Sequence, residues 1–129
     1  MARIVICEDD PQVCRLLTRV LEERGDDIVV TSTVLDCLLS VAERKPDLLL
    51  ADLLLQGEDT LSLIRQMHAD FYHLKIIAIT GAGRTWAHAA LQHGADHVLE
   101  KPFVMDALVE LIQHLKPRTV LPVTSEKIA

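Results

Sequence analysis

The chain has no run of basic residues. Its 13 lysines and arginines are scattered from Arg3 to Lys127 against 19 acids, for a net charge of −6. That balance disfavours autonomous binding to DNA, RNA or an anionic membrane. No apolar stretch approaches the roughly 20 residues a membrane helix needs. The opening MARIVICEDD lacks the long apolar segment of a secretory signal. Cys7, Cys14 and Cys37 are an odd set without CxxC spacing; a reduced cytosol and small buried thiols fit them best. The turn TGAG, residues 80–83, lacks the GK[ST] of a nucleotide-binding loop and reads as a plain turn. The six histidines show no metal pattern and read as mostly exposed.

What is present is apolar and rhythmic. Half of the 129 residues are hydrophobic, enough for one domain with a sizeable core. RIVIC (Arg3–Cys7) reads as a strand, and Val13, Leu16, Leu17, Val20 and Leu21 then recur at helical spacing up to Gly25. DIVVTS (Asp27–Ser32) is β-branched. Leu35, Leu38, Leu39 and Ala42 make a second helical stripe that stops before Pro46. DLLLADL (Asp47–Leu53) is an apolar run broken only by Asp52, followed by a third helix on Leu61, Ile64 and Met67. KIIAIT (Lys75–Thr80) is a fourth strand and Thr85–His93 a weaker helix, on which Trp86 is a candidate exposed contact residue. DHVLE (Asp96–Glu100) is a fifth strand, and Val104, Leu108, Leu111, Ile112 and Leu115 form the last helical stripe. Five strand–helix units with strands apolar on both faces predict an α/β fold: a doubly wound, five-stranded parallel sheet flanked by five helices. The domain is expected over residues 1–116, with a tail or linker stub over 117–129.

In such a sheet, ligands bind beyond the carboxyl ends of the strands. The first strand ends in Glu8, Asp9 and Asp10, the third near Asp52, the fourth in Thr80, the fifth in Lys101 before Pro102. Acids, a hydroxyl and one ammonium thus converge on one rim. Carboxylates without Cys or His favour a hard cation such as Mg²⁺. A lone lysine opposite them suits an anionic phosphoryl group, whose oxygens metal, ammonium and hydroxyl would share. One carboxylate is then left as nucleophile. Asp10 before Pro11 has a separate reading, as the N-cap and first residue of the first helix.

Glu8/Asp9, Asp52, Thr80 and Lys101–Pro102, with the stretch GADHVLEKPF (Gly94–Phe103), resemble the receiver domain of two-component response regulators over about Arg3 to Leu115. The resemblance implies a flavodoxin-like fold with strand order 2-1-3-4-5 and a signalling role rather than an enzyme's. It implies that Asp52 accepts a phosphoryl group from a phosphohistidine on a sensor kinase or phosphotransfer protein. Mg²⁺ would be held by Asp9, Asp52 and the backbone carbonyl of Leu54, with Glu8 acting mainly through water. Lys101 and Thr80 would contact the phosphoryl group, and the Lys101–Pro102 bond would be cis. A cytoplasmic location, an unknown downstream protein partner, no direct nucleic-acid or membrane binding, and pairing through the face of helix four, strand five and helix five complete the implied picture.

The sequence also departs from the family. Gln56 and Thr60 stand where a proline and a glycine are usual, so the loop into the third helix is expected to be differently shaped. Val98 replaces the usual aromatic switch residue. Leu54 and Ala82, flanking the acceptor, cannot orient a hydrolytic water, which predicts slow self-dephosphorylation. Two other functions compete. An aspartate-nucleophile phosphatase needs a second acid two residues after the nucleophile, where Leu54 stands. A degenerate receiver, binding partners without phosphorylation, is disfavoured by the intact acids and Lys101.

Overall fold

The computed structural model describes residues 1–115, so the tail expected over 117–129 lies outside the described residues. The chain opens β1 (Arg3–Cys7), α1 (Pro11–Glu23), β2 (Asp27–Thr31), α2 (Val34–Arg44) and β3 (Leu48–Asp52). A short hairpin follows, β4 (Leu54–Leu55) and β5 (Glu58–Asp59), then α3 (Leu61–Asp70), β6 (Lys75–Thr80), α4 (Arg84–His93), β7 (His97–Glu100) and α5 (Met105–His114). Five strands form one parallel sheet in the spatial order β2-β1-β3-β6-β7, while β4 and β5 pair with each other, antiparallel. Counting the sheet strands alone, this is the expected 2-1-3-4-5. The hairpin is an addition that no alternating pattern announces in two-residue strands.

Alternate side chains of the strands feed two cores. Val5 and Cys7, with Leu49 and Ala51, face α2, α3 and α4 through Cys37, Val41, Ile64, Met67 and Ala90. Ile4 and Ile6, with Leu48, Leu50, Ile77 and Ile79, face α1 and α5 through Leu17, Leu21 and Leu108. Helix ends follow local chemistry. Asp10 is extended and accepts the Gln12 N–H at 2.9 Å, with Pro11 opening α1. Thr33 caps α2 by accepting the Asp36 N–H at 3.1 Å.

Three expectations need correction. On α2 the buried stripe is Val34, Cys37, Leu38 and Val41; Leu35 and Leu39 are 64% and 57% exposed, and Ala42 is exposed. Both stripes have helical spacing and share Leu38, but the buried one sets the small Cys37 against Cys7 of β1. Val104 is the N-cap of α5 and is 68% exposed rather than part of its apolar stripe. Trp86 is half-buried, packed on the α2–α3–α4 side of the core, rather than displayed on α4. Among the described residues, no helix is long and apolar enough to cross a membrane.

Candidate functional site

Strand register builds the site. Cys7 lies opposite Ala51, Asp52 opposite Ile79, and Thr80 opposite Glu100. Glu8, one residue past β1, therefore comes level with Asp52, and Lys101, one past β7, comes level with the end of β6. Backbone bonds carry the alignment past the strands: Glu8 N–H donates to Thr31 O at 2.9 Å, and Lys101 N–H to Thr80 O at 2.7 Å.

Lys101 Nζ donates to Asp52 Oδ2 at 2.9 Å and to Glu8 Oε1 at 3.2 Å, bridging two acids 44 residues apart in the chain, 8 to 52. The other Glu8 oxygen accepts the N–H groups of Asp9 and Asp10 at 3.0 and 3.2 Å. Asp52, only 8% exposed, accepts the Leu54 N–H on Oδ1 at 3.0 Å. Asp9, exposed, accepts the Gln56 N–H on Oδ2 at 2.9 Å. Glu8, Asp9 and Asp52 can each present a carboxylate oxygen so that all lie within 4.8 Å of one another. An all-oxygen set of that compactness fits a hard divalent cation.

Electrostatics match the crowding. Burial pushes the Glu8 carboxyl up to about 7, and the Asp52 carboxylate adds to the push, while the Asp10 N–H and the Lys101 ammonium pull it back. For Lys101, burial favours losing the proton, but the Asp52 and Glu8 carboxylates outweigh it and raise the ammonium's pKa overall. The chain here concentrates negative charge that one ammonium only partly offsets.

Around this cluster stand the remaining expected residues. Thr80 is buried and its hydroxyl accepts the Ala82 N–H at 2.9 Å. The Lys101–Pro102 peptide is cis. Val98 is half-buried against the α2–α3–α4 side of the core. Leu54 is half-exposed, and its backbone N–H, not its carbonyl, is what touches Asp52. A cavity of about 490 Å³ opens over Asp52, Thr80 and Lys101, walled by Leu54, Ala82 and Trp86.

Comparison with known proteins bears on the family and the fold. Residues 4–113 match the model of the response regulator receiver domain. The chain belongs to that family. It is 34% identical over 112 residues to the DNA-binding response regulator MtrA of Mycolicibacterium smegmatis, covering 86% of this chain and 49% of that protein. It is 31% identical over 113 residues to the nitrogen assimilation regulatory protein NtrX of Azorhizobium caulinodans, covering 85% of this chain and 25% of that protein. The chain thus spans half or less of these relatives. The crystal structure of the BeF3-activated N-terminal receiver domain of Klebsiella pneumoniae RstA is similar, with a TM-score of 0.80 at 28% identity, covering 86% of this chain and 95% of that one. A receiver-domain structure from Bermanella marisrubri gives 0.81 at 28% identity, covering 88% and 96%. The receiver domain is a signalling module of two-component systems rather than a stand-alone enzyme.

Three contributors were not read from the sequence as parts of the site. Trp86 forms part of the cavity wall. The Gln56–Gly57 turn of the β4–β5 hairpin reaches Asp9. Thr60 is fully buried and its hydroxyl donates to the Asp52 backbone carbonyl at 2.8 Å. Gln56 and Thr60 were visible only as departures from the family pattern. A Gln-Gly pair at a two-residue turn is a weaker hairpin signal than Asn-Gly.

Proposed function

We propose that this domain is a phosphorylation-dependent switch in which Asp52 accepts a phosphoryl group from a phosphohistidine of a sensor kinase or phosphotransfer protein. The observation that carries the reading is the Lys101 ammonium bridging Asp52 and Glu8 beside Asp9. An Asp52 carboxylate oxygen attacks phosphorus, the phosphorus–nitrogen bond breaks with its electron pair left on the imidazole, and the ring then takes a proton from solvent. Asp9, Asp52 and the Leu54 carbonyl would hold Mg²⁺, with Glu8 reaching it through water; the bound cation would neutralise phosphoryl oxygens as charge shifts. Lys101 Nζ contacts the same oxygens from the other side. The Thr80 hydroxyl, now accepting the Ala82 N–H, is positioned to exchange that bond for one donated to the phosphoryl group. Its displacement biases an existing two-state equilibrium.

Val98 offers no aromatic partner for that displacement, so output runs through packing shifts around Thr80 and Val98 on the α4–β7–α5 face, which we also assign as the dimer surface. Leu54, Ala82 and Trp86 wall the cavity with apolar groups, which supports slow self-hydrolysis; a phosphoryl lifetime of seconds would remove that point. We place the domain in the cytoplasm, acting on a downstream protein rather than touching nucleic acid itself. The deciding experiment is incubation with acetyl phosphate and Mg²⁺ followed by intact mass. One added phosphoryl group, absent in Asp52→Asn, is expected. An unlabelled wild type would instead support a binding module that works without phosphorylation.

A further inference from the structure

Thr60 occupies the N-cap position of α3, where a threonine hydroxyl ordinarily accepts a helix N–H. It makes no such bond. Its hydroxyl instead donates to Asp52 O at 2.8 Å, and its own N–H donates to Leu53 O at 3.0 Å, so both of its donors grip the backbone of residues 52 and 53. The free end of α3 is served by Asp59, which accepts the Leu61 N–H at 3.1 Å. Between residues 53 and 60 the chain closes into the β4–β5 hairpin, with Leu54 opposite Asp59 and Leu55 opposite Glu58. The turn needs positive φ at both central residues, Gln56 at 51° and Gly57 at 82°. That geometry delivers the Gln56 N–H to Asp9 Oδ2.

We infer that the hairpin is the positioning element of the acidic pocket: its tip fixes the Asp9 carboxylate and its closing residue Thr60 fixes the Asp52 main chain. The inference rests on the phosphoacceptor reading for its consequence, but the bonds themselves do not. With Oδ2 already accepting the Gln56 N–H, a bidentate grip on a cation by Asp9 would compete with the hairpin bond. That favours a small octahedral ion over one that takes bidentate carboxylates. Thr60 and Gln56 are positioning residues, since neither reaches the reacting atoms.

Matched substitutions separate positioning from mere stability. Gly57 and Gly25 both have positive φ, 82° and 89°, and a Cβ on either meets no atom within 4 Å. Gly57→Val and Gly25→Val therefore impose a similar backbone strain, at the pocket and away from it. Titration with MgCl2, followed by calorimetry and by emission of the single tryptophan, should show affinity weakened roughly fivefold in Gly57→Val and unchanged in Gly25→Val. The preference for Mg²⁺ over Ca²⁺ should fall in Gly57→Val alone. Thr60→Val should slow acetyl phosphate labelling at saturating Mg²⁺ by roughly tenfold, and Thr60→Ser should restore it. Equal Mg²⁺ affinity in the two glycine variants, or a Thr60→Ser variant as slow as Thr60→Val, overturns the inference. A wild type that binds Mg²⁺ but takes no phosphoryl group defeats the proposed function instead, and the two glycine variants still decide the brace.

Discussion

The two rims of the sheet use the same residue types for opposite ends. At the amino rim, three aspartates each accept the N–H of a residue at the start of a strand. Asp26 takes Ala2 at 2.8 Å, Asp47 takes Arg3 at 2.9 Å, and Asp96 takes Ile76 at 2.8 Å. Asp26 also holds Arg24 Nε at 2.9 Å, and Asp96 lies 3.9 Å from Lys75. Each acid has its own partners, and each ties down backbone. At the carboxyl rim, Glu8 and Asp52 share one lysine, with the Asp9 carboxylate close beside them. The first arrangement stabilises the fold; the second stores repulsion that a cation or phosphoryl chemistry can relieve. What a carboxylate does here is decided by how many others it must share a cation with.

The sharpest break of that comparison is chemical. Asp52→Asn should abolish acetyl phosphate labelling, while Asp96→Asn should label as the wild type does; intact mass reads both. Stability should run the other way. Asp26→Ala removes acceptors for Ala2 and Arg24 and should cost about 2 kcal/mol in urea unfolding. Asp9→Asn, which relieves crowding, should be neutral or slightly stabilising without metal.

Next comes pH. Between the ordinary glutamate value of 4.5 and about 7, the folded metal-free domain keeps a proton on Glu8 that the unfolded chain has lost. Stability therefore falls as pH rises through that window, by on the order of 3 kcal/mol in total, and is level with respect to this group above it. Glu8→Gln should flatten that slope in urea titrations across pH, and saturating Mg²⁺ should stabilise the domain most at the upper end. No amino-rim variant should alter it.

The smallest effect is in the thiols. A hydrogen bond with the adjoining Cys37 thiol, and burial after it, raise the pKa of Cys7, and burial raises that of half-buried Cys14. In the native state a thiol reagent at neutral pH should modify Cys14 slowly and leave Cys7 and Cys37 untouched; unfolding should expose all three.

Much of this was legible in the chain itself. The sheet strands declare themselves as apolar runs, and each polar residue that ends one could be assigned to the rim without knowing any distance. Asp10 could be told from Glu8 and Asp9 because a proline follows it. The helix α2 face was misassigned because two stripes fit the same period, and hydrophobicity favours leucines over the valines and cysteine that pack. The hairpin escaped notice because strands of two residues have no period, and because Thr60 has the look of a cap while its hydroxyl works elsewhere. Trp86 was misjudged because α4 is poor in large apolar residues, leaving no stripe to say which side faces inward.

Gly94 closes α4 and holds a constraint of its own. A Cβ at this residue would sit 2.5 Å from the His68 ring on α3. With no side chain between them, the end of α4 packs directly against α3. A tug on the start of α4 from the loop after Thr80 would be passed sideways to α3, so a partner bound on α3 could sense an event it never touches.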